Sequence, residues 1–179
     1  MEIRVLTFDL EASSGRAMLR IYDGKTTEDS MLKGIPAILS PELLKILCEM
    51  GHSDRIVIAD GNFPAQSIGK NAIVIRMDGH GVCEILEAIL HVFPLDNYVK
   101  HPVNVMKVVD GDLVETPIWE SYQNIVDKQE DCDNKEIGQI ERFLFYEEAR
   151  SAYAIIATSE KALYGNIMLQ KGVVAQSIN

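Results

Sequence analysis

His52 and Asp60 flank a short β-branched segment, Arg55–Ala59, and their types and spacing suggest chemistry. Histidine titrates near neutral pH without help from its surroundings, so it can accept a proton and return it. A carboxylate at the end of a buried strand lies where the ligand crevices of open α/β sheets form. Taken locally, the simpler interpretation is a histidine that caps a helix and an aspartate that forms a turn.

Further polar side chains stand beside predicted turns, at Arg142, at Tyr146 and in the segment Tyr164-Gly165-Asn166. Carboxylate, guanidinium and amide groups suit the hydroxyls of a sugar, because together they hold several donors and acceptors in one orientation. Each residue also has a structural role open to it. Tyr146 suits core packing, and Arg142 suits a surface ion pair.

The chain of 179 residues has room for one domain with a full core and a short appendage. It lacks phosphate loops, dinucleotide fingerprints, zinc-protease motifs, nucleophile elbows and CxxC pairs, which argues against a hydrolase built on a nucleophile or a metal. Its formal charge of −10 argues against nucleic acid as a partner. No apolar run reaches the roughly 18 residues that span a bilayer. The three cysteines lack metal-ligand spacing, so a reducing cytoplasm is the simplest setting.

Strands alternate with helices after residue 31, which predicts an α/β fold with a layered, mostly parallel central sheet. The predicted strands are Arg55–Ala59, Ala72–Met77, Val103–Val109, Gln139–Phe143, Tyr153–Thr158 and Asn166–Leu169. The predicted helices begin at Ser40-Pro41-Glu42, at Val82 (ending at Val92), at Thr116-Pro117 and at Phe145 (ending at Ala152).

Residues 1–30 differ from the rest, because Val5–Leu10 and Arg16–Tyr22 read as two strands joined by a turn over Glu11–Gly15. This segment resembles the N-terminal hairpin of rhamnulokinase-type sugar kinases, but Glu11 stands where that family has a glycine near the ATP phosphates. We therefore expect a kinase-like but non-catalytic fragment, followed by a polar linker at Lys25–Ser30. The main domain is expected over residues 31–179.

Several ordered motifs of the main domain resemble the L-fucose mutarotases, within the fucose mutarotase and ribose pyranase family. They are Met31-Leu-Lys33, Ser40-Pro-Glu-Leu-Leu-Lys45, Glu49-Met-Gly-His52, Asp60 with Phe63-Pro-Ala65, Arg142-Phe143 with Phe145-Tyr-Glu147, and Tyr164-Gly-Asn-Ile167. The resemblance implies a three-layer α/β/α fold of the RbsD type. It also implies a cytoplasmic, cofactor-free isomerase that interconverts the α and β anomers of L-fucose, assembled into homo-oligomeric rings that are typically decamers.

The same resemblance assigns the site residues. His52 matches the catalytic proton donor, and Asp60 and Arg142 match substrate-binding residues. The segment Tyr164-Gly165-Asn166 matches the sugar-contacting segment near the C-terminus, and Tyr146 and Asn62 are further candidates. Asn62 stands where family members often carry a histidine, so it can bind a hydroxyl but cannot carry a proton, which places more weight on His52.

Three alternatives stay open at this point. A ribose pyranase-like enzyme would exchange the ring forms of other sugars, although the segment around Arg142 and Tyr146 favours the fucose branch. A sugar-binding module could regulate a transporter or a kinase without catalysis. Residues 1–30 could add a kinase-related role. That role requires ATP binding, and we expect that the chain does not bind ATP.

Overall fold

The computed structural model describes residues 6–10, 17–21, 32–129 and 136–174. Contacts divide the chain into two compact units, Met1–Ala37 and Ile38–Asn179. The functional division at residue 30, with a non-catalytic fragment before it, stays a prediction.

The first unit contains an antiparallel pair of strands, β1 (Leu6–Leu10) and β2 (Ala17–Ile21). Leu6 lies opposite Ile21, and Leu10 lies opposite Ala17. This confirms the strand pairing expected from the sequence, while the predicted turn and the linker fall outside the described residues. A two-stranded pair is marginally stable by itself.

The second unit is built on a six-stranded sheet. The strands are β3 (Arg55–Ala59), β4 (Ile73–Met77), β5 (Val103–Met106), β6 (Gly138–Ile140), β7 (Ala154–Thr158) and β8 (Ile167–Gln170). Their order in the sheet is β4-β7-β3-β8-β5-β6. Strand β8 runs antiparallel to both neighbours, β3 and β5, and the other pairs are parallel, so the mostly parallel sheet is confirmed.

Helices cover this sheet, and the layered α/β architecture predicted from the sequence is confirmed. Val57 and Ala59 of β3 share a buried cluster with Phe145 and Ala149, while the alternating residues of β3 point to the other face of the sheet. The helices are α1 (Pro41–Glu49), α2 (Ala65–Ile68), α3 (Val82–Leu90), α4 (Ile118–Val126) and α5 (Arg142–Arg150). None of the helices in the described part of the chain is long and apolar enough to cross a membrane.

Helix α1 begins as predicted and delivers the chain to His52. The Ser40 hydroxyl accepts a hydrogen bond from the Leu43 N–H at 3.2 Å, and Pro41 occupies the first helical position. At the other end, the Lys171 ammonium donates to the carbonyls of Leu47 and Met50, each at 2.6 Å. This cation satisfies carbonyls that the helix end leaves unpaired, so the following turn starts from a fixed point.

Two predicted elements differ from the structure. The predicted strand Gln139–Phe143 is wrong in its second half, because β6 ends at Ile140 and α5 begins at Arg142. The reason is local: the Glu141 carboxylate accepts hydrogen bonds from the N–H groups of Phe143 and Leu144 and caps the helix. Strand β5 also ends at Met106 rather than Val109, which frees the following residues to form a loop beside the site.

Deleting residues 1–30 tests whether the second unit is independent. Every hydrophobic residue described as buried lies at or after Leu39, so a chain that starts at Met31 keeps that core. We expect its thermal unfolding midpoint to stay within about 3 °C of the full chain in differential scanning calorimetry. A non-cooperative transition, or a much lower midpoint, would contradict this expectation.

Candidate functional site

Asp60 directly follows β3, and its N–H and buried carboxylate form a reciprocal pair with Asn166, the residue before β8. The Asp60 N–H donates to Asn166 Oδ1 at 2.9 Å, and Asn166 Nδ2 donates to Asp60 Oδ2 at 2.7 Å. The Asn62 N–H donates to the other carboxylate oxygen at 2.9 Å. Because these bonds involve both oxygens, they restrain the orientation of the carboxylate.

Burial raises the pKa of this carboxyl. Asp60 is only 5% exposed, and loss of solvation raises its pKa above the ordinary value. Hydrogen bonds from the Asn62 and Gly165 backbone and from the Asn166 amide oppose that rise, because they favour the ionised form. Carboxyl groups with a raised pKa of this kind are frequent at functional sites.

The turn Tyr164-Gly165-Asn166 is held from behind by two aromatic side chains of α4. Trp119 Nε1 donates to the Tyr164 carbonyl at 2.9 Å, and the Tyr122 hydroxyl donates to the Gly165 carbonyl at 2.8 Å. Tyr164 has φ of 56°, a left-handed conformation that costs free energy for a non-glycine residue. A Cβ at Gly165 would lie 3.0 Å from a carbonyl oxygen and 3.4 Å from the Asp60 Cβ, so the turn needs glycine for close approach.

The Tyr164 side chain links this turn to the loop after β5. Its hydroxyl donates to Asp112 Oδ2 at 2.8 Å and accepts from the Val109 N–H at 3.4 Å. The hydrogen bond to Asp112 raises the pKa of Tyr164, so the phenol stays protonated at neutral pH. Tyr164 therefore both orders the loop and presents a neutral hydroxyl group.

Side chains of these segments line one open cavity of about 270 Å³. Arg142 contributes its guanidinium to the lining. Its buried Nε has no hydrogen-bond partner among the described residues, which costs free energy. The lining residues are Asp60, Asn62, Phe63, Met106, Asp112, Arg142, Tyr146, Leu163, Tyr164 and Asn166.

The structure thus brings most of the predicted site residues together: Asp60, Asn62, Arg142, Tyr146, Tyr164 and Asn166 line the cavity, and Gly165 shapes it. Tyr146 packs against Phe63 with ring centroids 5.6 Å apart, so its alternative role in packing is also realised.

His52 does not reach this cavity within one chain. It lies in the turn before β3, whereas Asp60 lies at the strand's other end, and a five-residue strand at about 3.3 Å per residue separates them by roughly 16 Å or more. A monosaccharide is shorter than that separation. His52 is therefore not among the residues that line the cavity of its own chain, and a pocket that His52 shares with Asp60 stays a prediction that depends on a neighbouring chain.

His52 instead pairs with Asp96, a residue that sequence reasoning missed. His52 Nε2 lies 3.2 Å from Asp96 Oδ2, and their side chains are 43% and 1% exposed. The edge of the His52 ring also meets Tyr98, with centroids 5.5 Å apart. Asp96 gave no local signal, since one of its partners, Gln170, is 74 residues away in the chain.

Hydrogen bonds keep Asp96 ionised and thereby fix the histidine tautomer. Burial alone would raise the pKa of Asp96, but bonds from the Tyr98 N–H, the Gln170 amide and His52 hold that pKa below its usual range. An ionised carboxylate only accepts hydrogen bonds, so the facing nitrogen of His52 must carry the proton. The lone pair is left on Nδ1, where neutral histidine acts as a base and protonated histidine as an acid.

Across the described residues, no group of three or more His, Cys, Asp and Glu side chains is arranged to hold a metal ion.

Known proteins match the part of the chain that carries both the cavity and His52. Residues 33–174 match the profile of the RbsD / FucU transport protein family. The human protein named fucose mutarotase is 50% identical over 148 residues, covering 80% of this chain and 95% of that protein.

Two solved structures are also similar. FucU from Bifidobacterium longum is 61% identical with a TM-score of 0.77, covering 80% of this chain and all of that one. The fucose mutarotase from Streptococcus pneumoniae, crystallised in complex with L-fucose, is 46% identical with a TM-score of 0.74 and the same coverage. Fold, ordered motifs and sequence identity agree with the resemblance seen in the sequence, and the chain belongs to the RbsD/FucU family.

Proposed function

We propose that this chain interconverts the α and β anomers of L-fucose by acid–base opening and closing of the sugar ring. The observation that carries the proposal is the cavity built on the buried Asp60–Asn166 pair, with the Arg142 guanidinium in its lining. The relative from Streptococcus pneumoniae, which was crystallised with L-fucose, supports the choice of sugar.

The reaction needs two proton transfers and no redox change. A base removes the proton from the anomeric hydroxyl, and an acid gives a proton to the ring oxygen as the bond from the anomeric carbon to that oxygen breaks. The open aldehyde turns about its bond to the next carbon, and the reverse transfers close the ring on the other face. A group that titrates near neutral pH serves in both directions.

Groups of the cavity suit the task of holding the sugar. Asp60 accepts hydrogen bonds from sugar hydroxyls, while the Arg142 guanidinium and the second N–H of Asn166 donate to sugar oxygens. Phe63, Met106 and Leu163 give the cavity an apolar wall, which suits the carbon face and methyl group of a deoxy sugar. The sugar is therefore held from its polar edge and supported on its apolar side.

We place the histidine of the reaction on an adjoining protomer, as His52 of the partner subunit. Two observations support this. The His52 side chain is 43% exposed while its Nε2 pairs with Asp96, so part of the ring is available to an approaching surface. Large apolar side chains are exposed near the cavity, with Phe143 at 66%, Leu144 at 52% and Leu163 at 54%, as expected of an interface.

Such a contact joins the start of β3 in one chain to the end of β3 in another. Because the two surfaces differ, each chain gives its histidine to one neighbour and receives one from the other. Repeated contacts of this kind close into a ring when the rotation allows. The ring, its decameric size and the cytoplasmic location stay predictions.

Replacing His52 tests the assignment of the proton-transfer group. We expect His52→Gln to lower the protein-catalysed exchange of L-fucose anomers at least ~100-fold, measured by saturation-transfer NMR at the two anomeric protons. The matched control is His80→Gln, because His80 is also 43% exposed and pairs with a carboxylate, Glu84, at 3.1 Å. Equal loss in both variants, or full activity in His52→Gln, would contradict the assignment.

Mixing two inactive variants tests whether the site is shared between chains. His52→Gln and Asp60→Asn protomers are co-expressed, so that some neighbours combine an intact cavity with an intact histidine. Random mixing in equal amounts should restore roughly a quarter of the wild-type sites. If both groups act within one chain, the mixture stays as inactive as its components.

The raised pKa of Asp60 predicts a pH-dependent stability difference. The folded chain binds this proton more tightly than the unfolded chain, whose ordinary value is 3.8. This contribution stabilises the fold at pH below the ordinary value and is lost as the pH rises through the pKa of folded Asp60. Relative to Asp60→Asn, the wild type should therefore lose free energy of unfolding across that window in urea titrations. Parallel pH profiles for the two proteins would contradict it.

A further inference from the structure

A continuous line of polar side chains runs from α5 to His52. Arg55 Nη1 donates to Glu148 Oε2 at 2.6 Å, and Arg55 Nε donates to Gln170 Oε1 at 3.1 Å. Gln170 Nε2 donates to Asp96 Oδ2 at 2.9 Å, the same oxygen that lies 3.2 Å from His52 Nε2. The middle member, Gln170, is the last residue of β8 and stands opposite Arg55 in the sheet register.

The chemistry of its two neighbours fixes how the Gln170 amide points. Arg55 can only donate hydrogen bonds, and an ionised Asp96 can only accept them. The amide oxygen must therefore face Arg55 and the amide nitrogen must face Asp96. The reverse orientation would set two donors together at one end and two acceptors at the other. Gln170 thus accepts a hydrogen bond from Arg55 through its oxygen and donates one to Asp96 Oδ2 through its nitrogen.

Backbone hydrogen bonds at Gln170 and the next residue connect this segment to Asp96 and to the turn that follows His52. The Asp96 N–H donates to the Gln170 carbonyl at 3.1 Å. The next residue, Lys171, accepts from the Ser53 N–H at 2.8 Å and donates its own N–H to the Asp54 carbonyl at 2.9 Å. His52 and its carboxylate partner are therefore both attached to one short segment at the end of β8.

We propose that Gln170 is a positioning residue for His52: its amide holds one oxygen of Asp96 in place, and that oxygen fixes the orientation and the tautomer of the imidazole. The inference rests on the proposed function for its kinetic consequence, since it assumes that His52 moves the proton. Its structural part, the coupling from Gln170 to His52, is measurable without catalysis.

Other charged and titratable groups also lie near His52. Asp96 and Tyr98 face its ring. In the turn that carries it, the Asp54 carboxylate accepts from the Gly51 N–H at 2.6 Å, and the Lys171 ammonium is bonded to carbonyls at the end of α1. A substitution at Gln170 leaves these neighbours in place and alters only the group behind Asp96.

The test is Gln170→Glu in the full chain. The new carboxylate keeps the length and can still accept from Arg55, but it cannot donate to Asp96 and adds negative charge behind it. Both changes favour the imidazolium form, so the pKa of His52 should rise by roughly 0.5–2 units. The matched control is Gln139→Glu, the same substitution at an exposed position of edge strand β6, which should leave that pKa unchanged.

The pKa is read from the pH titration of ¹³Cε1-labelled histidines, with the His52 resonance identified by its loss in His52→Gln. The pH dependence of kcat/KM for anomer exchange is measured on the same proteins. A higher His52 pKa in Gln170→Glu, with the rate profile moved by the same amount, supports the proposal. An unchanged His52 pKa overturns it.

One combination of results distinguishes a failure of the proposed function from a failure of this inference. If the His52 pKa rises while the rate profile stays fixed, the coupling from Gln170 stands and the catalytic role of His52 fails. Should Gln170→Glu not fold, Gln170→Met provides the second measurement, because it removes the donor to Asp96 without adding charge. Asp96 then has one hydrogen-bond donor fewer and interacts more strongly with His52. The pKa of His52 should therefore rise in Gln170→Met as well, by less than in Gln170→Glu. An unchanged pKa of His52 in Gln170→Met overturns the proposal.

Discussion

The reciprocal pair between Asp60 and Asn166 is the interaction on which the cavity depends. It joins the end of β3 to the start of β8, two strands that run in opposite directions at the centre of the sheet. A buried carboxylate is unfavourable unless hydrogen bonds compensate it, and this amide offers both a donor and an acceptor at one position. The aromatic donors of α4 then fix the turn before Asn166 from behind, so the ligand-facing groups rest on the rigid part of the fold.

Strand β3 separates two groups of polar residues. The groups around Asp60 lie at its final end, and the pair of His52 and Asp96 lies at its first end. Each end is connected to β8, so the antiparallel strand supports both. In the proposed function the first group holds the sugar and the second transfers the proton. The two groups of one chain are too far apart to act on one monosaccharide, so the proposal requires that chains assemble.

Structural features that depend on residues close together in the chain are predicted well from the sequence. The Ser40 cap, the β-branched β3 and the apolar face of α3 follow from local preferences, and the ordered motifs identify the cavity residues through the family. Local patterns fail where a tertiary contact decides. Asp96 and Gln170 look like ordinary polar residues until the sheet brings them together across 74 positions. The predicted start of α5 is wrong because the N-cap residue is Glu141, and glutamate is not among the residues preferred at that position.

A crystal structure of the assembled protein with L-fucose bound tests the central claim most directly, because it shows which chains build one site. The account predicts the sugar in the Asp60 cavity, with its ring oxygen or anomeric hydroxyl within about 3.2 Å of Nδ1 in His52 of the partner subunit. A sugar bound in that cavity with no imidazole from any protomer within reach would contradict the shared site, and a sugar bound elsewhere would contradict the cavity itself.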